Sequence, residues 1–371
     1  MNNHRTKPKR VLLLGSYGRG NIGDDVFLIA ATKLLAGYEI AINAATDGSL
    51  PAEVQDKVLV LRTEDSSDWR QKAKVLLQAK AIIYGGGDLW VELFGDKRPR
   101  QALWKMFLLN LAARMLGKKV LYIGCGAGKL EGFSLTLARL SAHLAHGIIL
   151  RDEVTREVLA LKDVLVLPDL TITLCSEAPK PAPLPLRHPI KLVISLLYYI
   201  PEPERNFEPY IQRIADCLNQ LDSRNRFEIT LLPMLTARNT PHNDIWASER
   251  LMERLAPGHQ VKIAAPTSVG HCQQILSDAD IIIGSRLHAN ILATWAAKPC
   301  IGVAYRPKVA RFFERNNLDQ NCLDLDNLGA LPAVMSRLIR NYDHAARQAY
   351  AVWEENAKQG RAYESFIQTH L

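Results

Sequence analysis

Short aliphatic or β-branched runs alternate with longer amphipathic stretches along almost the whole chain, and this rhythm restricts the fold more than any other feature. In the first half, Val11–Leu14, Glu39–Ala44, Val58–Leu61, Ala81–Tyr84, Val120–Ile123, Gly147–Leu150 and Val164–Leu167 read as strands. Helical spacing over Asp25–Leu35, Trp69–Gln78, Arg100–Leu116, Leu135–Ala145 and Glu153–Leu161 fills most of the gaps. Strands separated by helices pair in parallel and carry helices on both faces of the sheet.

The rhythm breaks once, at SEAPKPAPLPLRHP (residues 176–189), where five prolines fall within fourteen residues. Proline at that density denies the backbone both helix and ladder hydrogen bonds, so the segment reads as an extended linker. Strands then recur at Lys191–Leu197, Phe227–Leu232, Val261–Ala264, Asp280–Gly284 and Cys300–Tyr305. Helices are expected at Phe207–Leu221, Asp244–Leu255, Val269–Leu276, Ala289–Ala296 and Leu328–Arg340, with a last one over Asp343–Gln368. The expected fold is α/β: two Rossmann-like domains facing a cleft, residues 1–175 and 190–371, joined by the linker, with the last helix available to pack across domains. A length of 371 residues agrees with two domains that each bury a core unaided.

Six cysteines lie far apart without a CxxC pair, which suits buried free thiols in a reducing cytoplasm rather than disulfides or a metal site. No metal-ligand set or cofactor is expected. Lys and Arg total 46 against 38 Asp and Glu, a net charge of +8 compatible with anionic substrates, an anionic membrane surface or nucleic acid. Zinc-finger spacing, an RNP-like aromatic strand and a basic arm are all missing, so nucleic acid is not an expected partner. No apolar run reaches the length of a signal peptide or a spanning helix.

Chemistry-bearing residues gather at strand ends. The first strand runs into GSYGRGNIGDD (Gly15–Asp25), where Gly18 and its neighbours allow tight turns and close approach, Asn21 lies in the loop, and Asp24 is placed to cap the following helix. A plain strand-to-helix turn is the alternative reading. The fourth strand ends in Gly85, Gly86, Gly87 and Asp88, a second glycine loop on the same edge. Arg151 and Asp152 end the sixth strand, where the Arg either clamps an anion or pairs with a nearby acid. From Asp96 to Lys119 seven basic residues face a single acid, with apolar residues between them at helical spacing. That suits contact with an anionic membrane, and also a solvated helix face over an ordinary core.

The densest constellation is Ile281–Val309. A strand ends at Gly284, Ser285 to His288 open a helix, and the next strand delivers Tyr305, Arg306 and Lys308 to the same edge. Cations, helix-start N–H groups and one imidazole in a small space suit a multiply charged anion that exchanges a proton.

Taken together, GSYGRGNIGDD, GGGDLW, RDEVT, LPDLT and SRLHANILATWAAKPCIGVAYRPKV, in this order, resemble the polysaccharide pyruvyl transferase family. The resemblance implies a GT-B-like fold and transfer of the pyruvyl group of phosphoenolpyruvate to a sugar of a cell-surface polysaccharide or its lipid-linked precursor. The usual product is a cyclic ketal. It further implies donor binding by Arg151, Arg286 and Leu287 and acid/base work by His288; the charge of the donor adds Lys308. The acceptor falls to the N-terminal domain, where Gly18, Asn21, Asp24, Gly86, Gly87 and Asp88 are candidate contacts. Tyr122–Leu130 departs from the family's glycine-rich turn, which leaves the acceptor and the choice between ketal and enolpyruvyl product open. Two other readings stay in view: a nucleotide-sugar glycosyltransferase and a non-catalytic member of a polysaccharide-assembly complex.

Overall fold

The computed structural model of the chain describes residues 9–45, 50–62, 69–91, 98–177, 185–198, 207–221, 227–236 and 243–371. Residues 178–184 of the proline-rich linker and Asp96 and Lys97 of the basic segment lie outside the described residues. Two compact units divide the chain. One comprises Met1–Arg19, Asp24–Glu177 and Asn356–Leu371, the other Gly20–Gly23 and Ala178–Glu355.

The first unit runs β1 (Arg10–Tyr17), α1 (Ile22–Leu34, whose first two residues count with the second unit), β2 (Glu39–Ala44), α2 (Ala52–Gln55), β3 (Val58–Arg62), α3 (Trp69–Gln78), β4 (Ala79–Trp90), α4 (Arg98–Met115), β5 (Lys119–Ala127), α5 (Gly132–His143), β6 (Gly147–Leu150), α6 (Glu153–Val158) and β7 (Leu165–Val166). Its seven strands pair in parallel in the order β3-β2-β1-β4-β5-β6-β7.

The second unit runs β8 (Ile190–Ser195), α7 (Phe207–Gln220), β9 (Phe227–Leu231), α8 (Asp244–Met252), β10 (Gln260–Ile263), α9 (Val269–Ser277), β11 (Ile281–Gly284), α10 (Leu287–Trp295), β12 (Cys300–Ala304), α11 (Pro307–Arg315), β13 (Cys322–Asp324), α12 (Leu331–Arg340) and α13 (Tyr342–His370), the last turns of which count with the first unit. The order is β10-β9-β8-β11-β12-β13, again all parallel. All of Ile281–Gly284 is buried, as a central parallel strand covered on both faces must be. Phe227, Ile229, Ile283 and Val303 share one core with Ile211, Ile214 and Met335 from the helices.

In each sheet the strand order reverses once, between β1 and β4 and between β8 and β11. Crossovers leave the sheet in opposite directions at such a point, and the strand ends open a crevice there. Local sequence explains the helix starts nearby. Asp152 caps α6 by accepting from the Thr155 amide at 2.7 Å, Asn243 caps α8 at the Ile245 amide at 2.9 Å, and Pro307 opens α11 at a position where its missing N–H costs nothing.

Three expectations need correction. Asp24 is not the cap of α1: the helix starts at Ile22, and the Asn21 side chain accepts from the Gly23 amide at 3.0 Å, leaving Asp24 and Asp25 inside the first turn. Gly85 to Asp88 do not form a loop, because β5 extends alongside and pairs Gly87 with Cys125 and Asp88 with Gly126, so the strand continues to Trp90. Lys308 is not carried by the strand end: β12 stops at Ala304, and Pro307 opens the helix α11, in which Val309, Phe312 and Phe313 follow at helical spacing.

Candidate active site

In the second unit the reversal point is built around a buried carboxylate. Asp244, fully buried at the start of α8, accepts from Arg286 Nε at 2.9 Å and Nη2 at 2.7 Å. Its oxygens also accept from the backbone amides of Leu235 at 3.0 Å and of Met234 and Tyr198 at 3.3 Å. The bidentate pair fixes the guanidinium plane, and the three amides share the carboxylate charge, so Arg286 stays in one orientation at the N-terminal end of α10. Ser285, just before it, bridges the two central strands: its Oγ accepts from the Leu197 amide at 2.6 Å and donates to Ser195 O at 3.3 Å.

His288 sits in the first turn of α10, with Nε2 shielded from solvent. Its ring lies against Gly23, where a Cβ would stand 2.6 Å from the imidazole Cγ. The segment Gly20–Gly23 is held in this unit by its own backbone. Ile22 N donates to Met234 O at 2.9 Å, Thr236 N donates to Gly20 O at 3.1 Å, and Asn21 makes an antiparallel bridge with Leu235. Gly20 takes a φ of 64°, a conformation that costs other residues dearly. Two segments more than two hundred residues apart in sequence, Gly20–Gly23 and Ser285–His288, thus form one wall within the second unit.

Leu287 is buried beside them. Lys308 lies in the first turn of α11 and Arg306 just before it, with the Arg306 guanidinium 5.8 Å from the centroid of the Tyr305 ring. Tyr210, buried on α7, faces Ser285, Asp244, Tyr305 and Arg286, and burial pushes its hydroxyl pKa up. Asp244 and Tyr210 escaped sequence reasoning. They lie on helices in no motif, and only the fold turns them toward SRLHA.

The first unit holds a second cluster. Arg151, buried at the end of β6, pairs with Asp88 of β4 and lies 3.8 Å from Asp152. Asp88 stands opposite Gly126 in the β4–β5 register, and a Cβ at Gly126 would come within 2.5 Å of Arg151 Nε. The guanidinium therefore reaches Asp88 by crossing bare backbone. Asp169, also buried, accepts from the Thr171 amide at 3.1 Å and its hydroxyl at 2.8 Å. Burial raises the Asp169 pKa and Arg151 opposes the rise; burial works against the Arg151 charge in turn, but Asp88, Asp169 and Asp152 together outweigh it and raise the Arg151 pKa. One cation faces three carboxylates here.

Of the other expected residues in this unit, Gly86 lies against Phe27, where a Cβ would stand 2.6 Å from the ring Cγ. Gly87 and Gly18 adopt φ of 78° and 72°. Asp24 adds to the field around Asp25, whose carboxyl is pushed up to about 7 by burial, then by Asp24 and Glu53. Arg151, Gly18, Asp24, Gly86, Gly87 and Asp88 belong to the first unit, whereas Asn21, Arg286, Leu287, His288 and Lys308 belong to the second. Among the described residues no group of His, Cys, Asp and Glu is arranged to hold a metal ion.

Solved structures similar to this chain include HepE of Anabaena in complex with UDP, at a TM-score of 0.62 and 13% identity over 97% of this chain and 98% of that one. A UDP-GlcNAc 2-epimerase from Neisseria meningitidis bound to UDP-GlcNAc matches at 0.58 and 12% over 97% and 100%. MurG of Acinetobacter baumannii matches at 0.52 and 14% over 98% and 100%. At this identity the likenesses show the fold alone, which is GT-B-like. No curated protein matches the chain. A family model described as polysaccharide pyruvyl transferase matches residues 21–307, from the Asn21 that caps α1 to the Pro307 that opens α11. With well over half of its length matched, the chain belongs to the polysaccharide pyruvyl transferase family.

Proposed function

We propose that this protein transfers the pyruvyl group of phosphoenolpyruvate to a sugar of a cell-surface polysaccharide or its lipid-linked precursor, closing a cyclic ketal and releasing phosphate. The observation that carries the reading is the His288 imidazole set against Gly23, two residues from an Arg286 that Asp244 holds rigid. Family membership supports the same chemistry.

Phosphoenolpyruvate bears a carboxylate and a phosphate. Arg286 uses Nε and one Nη2 proton on Asp244, and in this reading its other N–H groups take the anion. Leu287, Lys308 and the first turns of α10 and α11 complete a donor site in the second unit. His288 as imidazolium protonates the methylene carbon, which leaves oxocarbenium character at C2. A sugar hydroxyl adds there and loses its proton to the neutral imidazole. Phosphate then departs with its bonding electron pair, stabilised by the cations, and a second hydroxyl adds to C2 and passes its proton to the released phosphate, closing the ketal and leaving His288 as the imidazolium that began the cycle. A cytoplasmic setting fits the six free thiols.

The acceptor falls to the first unit, with Gly18, Asp24, Gly86, Gly87 and Asp88 as contacts. For Arg151 the resemblance and the electrostatics pull apart. The family role is donor binding, but three carboxylates around one guanidinium repel a multiply charged anion and suit hydroxyl donors such as a sugar. Asn21, grouped with His288, belongs to the donor side in this reading.

A second reading, a nucleotide-sugar glycosyltransferase, is favoured by the fold likeness to HepE, whose structure contains UDP. Calorimetric titration of wild type and Arg286→Ala with phosphoenolpyruvate, UDP, GDP and ADP separates the two. Phosphoenolpyruvate binding that Arg286→Ala abolishes supports the pyruvyl transfer, whereas binding of a nucleotide alone supports the glycosyltransferase.

A further inference from the structure

The helices α3, α4 and α5 cover one face of the first sheet, burying Val75, Leu103 and Leu137 in the same core as Ile82 and Tyr122. None of the three contains an Asp or Glu, while they carry eight Lys and Arg: three on α3, four on α4 and one on α5. An ordinary solvated helix surface mixes both signs of charge, as the neighbouring α6 does with Glu153, Arg156 and Glu157, so three successive helices without a carboxylate are a strong bias.

The same face exposes large apolar side chains. On α4 Trp104, Leu108, Leu111 and Met115 recur at helical spacing and are 44%, 44%, 38% and 81% exposed. On α5 Phe133 and Leu140 are 63% and 46% exposed. The two stripes adjoin: the Trp104 and Phe133 rings are 6.2 Å apart, and the Asn110 side chain donates to Ser141 O at 3.2 Å farther along. Helix α4 is thus apolar on its buried face and again on its outer one. Burying its inner face satisfies the core and leaves the outer stripe without a partner inside the unit.

We infer that this face docks on an anionic lipid bilayer, with the α4 and α5 stripes entering the headgroup boundary and the surrounding Lys and Arg meeting lipid phosphates. Charge complementarity selects this occupant: within the three helices the apolar side chains alternate with Lys and Arg and with no Asp or Glu, the pattern of an interfacial helix, and the acid just before α5, Glu131, is paired with Lys129 at 3.0 Å. No helix among the described residues is long and apolar enough to cross a membrane, so the contact is peripheral. The inference stands independently of the proposed reaction, since it is read without donor or acceptor.

The test is co-sedimentation of the full chain with vesicles of phosphatidylcholine alone and of phosphatidylcholine mixed with phosphatidylglycerol. Binding is expected only to the anionic vesicles and is expected to weaken with salt. Lys105→Gln with Arg114→Gln lowers partitioning about 30-fold, from roughly fivefold per cation. Leu108→Ser with Met115→Ser lowers it at least about tenfold. All four positions are exposed, and unchanged thermal unfolding verifies that the variants fold. Failure to bind anionic vesicles, or binding that ignores both double variants, overturns the inference. So does a self-association that Leu108→Ser with Met115→Ser abolishes while vesicle binding persists, which assigns the face to a second copy of the chain.

Discussion

Gly23 and His288 are packed so closely that neither tolerates change in the other: a Cβ on Gly23 would stand 2.6 Å from Cγ and 2.9 Å from Cε1 of the imidazole. The loop backbone thereby sets the ring position. Gly23→Ala is expected to push the ring aside and lower turnover by about a hundredfold, the cost of misplacing a reacting group by about 1 Å. Gly270→Ala in α9, where a Cβ meets little, is the control and leaves turnover unchanged. Phosphate release from phosphoenolpyruvate in the presence of acceptor measures both.

Arg286 and His288 divide the proposed work between charge and proton. Arg286→Ala is expected to weaken phosphoenolpyruvate binding, about tenfold or more for a lost charge-assisted contact. His288→Ala instead leaves donor affinity nearly intact and lowers turnover by about 10²- to 10⁴-fold. Calorimetry and steady-state kinetics on the two variants separate these effects, and full turnover in His288→Ala removes the acid/base assignment.

Asp244 holds Arg286 with two side-chain bonds while three backbone amides satisfy its charge. Asp244→Ala leaves those amides and the guanidinium without their acceptor, with an expected loss of about 3–5 kcal/mol in chemical denaturation. Arg286→Lys keeps the charge but loses the bidentate geometry, so donor affinity falls with a smaller loss of stability.

Removing Arg151 tests what its guanidinium balances. Arg151→Met leaves Asp88, Asp152 and Asp169 without their cation and is expected to destabilise the protein by about 3–5 kcal/mol. If the residue binds donor as the family resemblance implies, phosphoenolpyruvate affinity falls as well. If the cluster serves the acceptor, calorimetry with phosphoenolpyruvate is unchanged.

Asp25 makes stability depend on pH. Its pKa rises from the ordinary 3.8 of the unfolded chain to about 7 on folding, through burial first and then Asp24 and Glu53. Folding therefore favours the protonated acid. The contribution is complete below about pH 4 and is lost as pH rises through about 7, above which a buried carboxylate costs a few kcal/mol. Asp25→Asn removes that loss: the melting temperature is expected to rise by several degrees near pH 8 and to stay unchanged near pH 4.

The strands were legible because parallel sheets need short apolar runs, and Glu39–Ala44 and Gly147–Leu150 match the structure residue for residue. Strand ends at glycines were not. The extension of β4 through Gly85–Asp88 depends on β5 lying alongside with Gly126 opposite Asp88, a pairing that a local pattern does not contain. The short strand β13 escaped for the same reason, since three residues carry no period.

The site divides in the same way. Arg286, Leu287 and His288 stand out in the sequence because helix-start cations and an imidazole crowd one strand end. Asp244 does not, since a lone acid after an asparagine is indistinguishable from a surface residue until α8 brings it under Arg286. The amino-acid sequence by itself determined two βα rhythms and the residue types at each strand end, because both depend on neighbours within one helix turn or one strand. Tertiary structure alone decided which carboxylate neutralises which cation, that Gly23 abuts His288, and that α4 presents a second apolar face. The first two relationships join residues far apart in the chain, and the third depends on which face of α4 the sheet covers, so only close packing decides each of them.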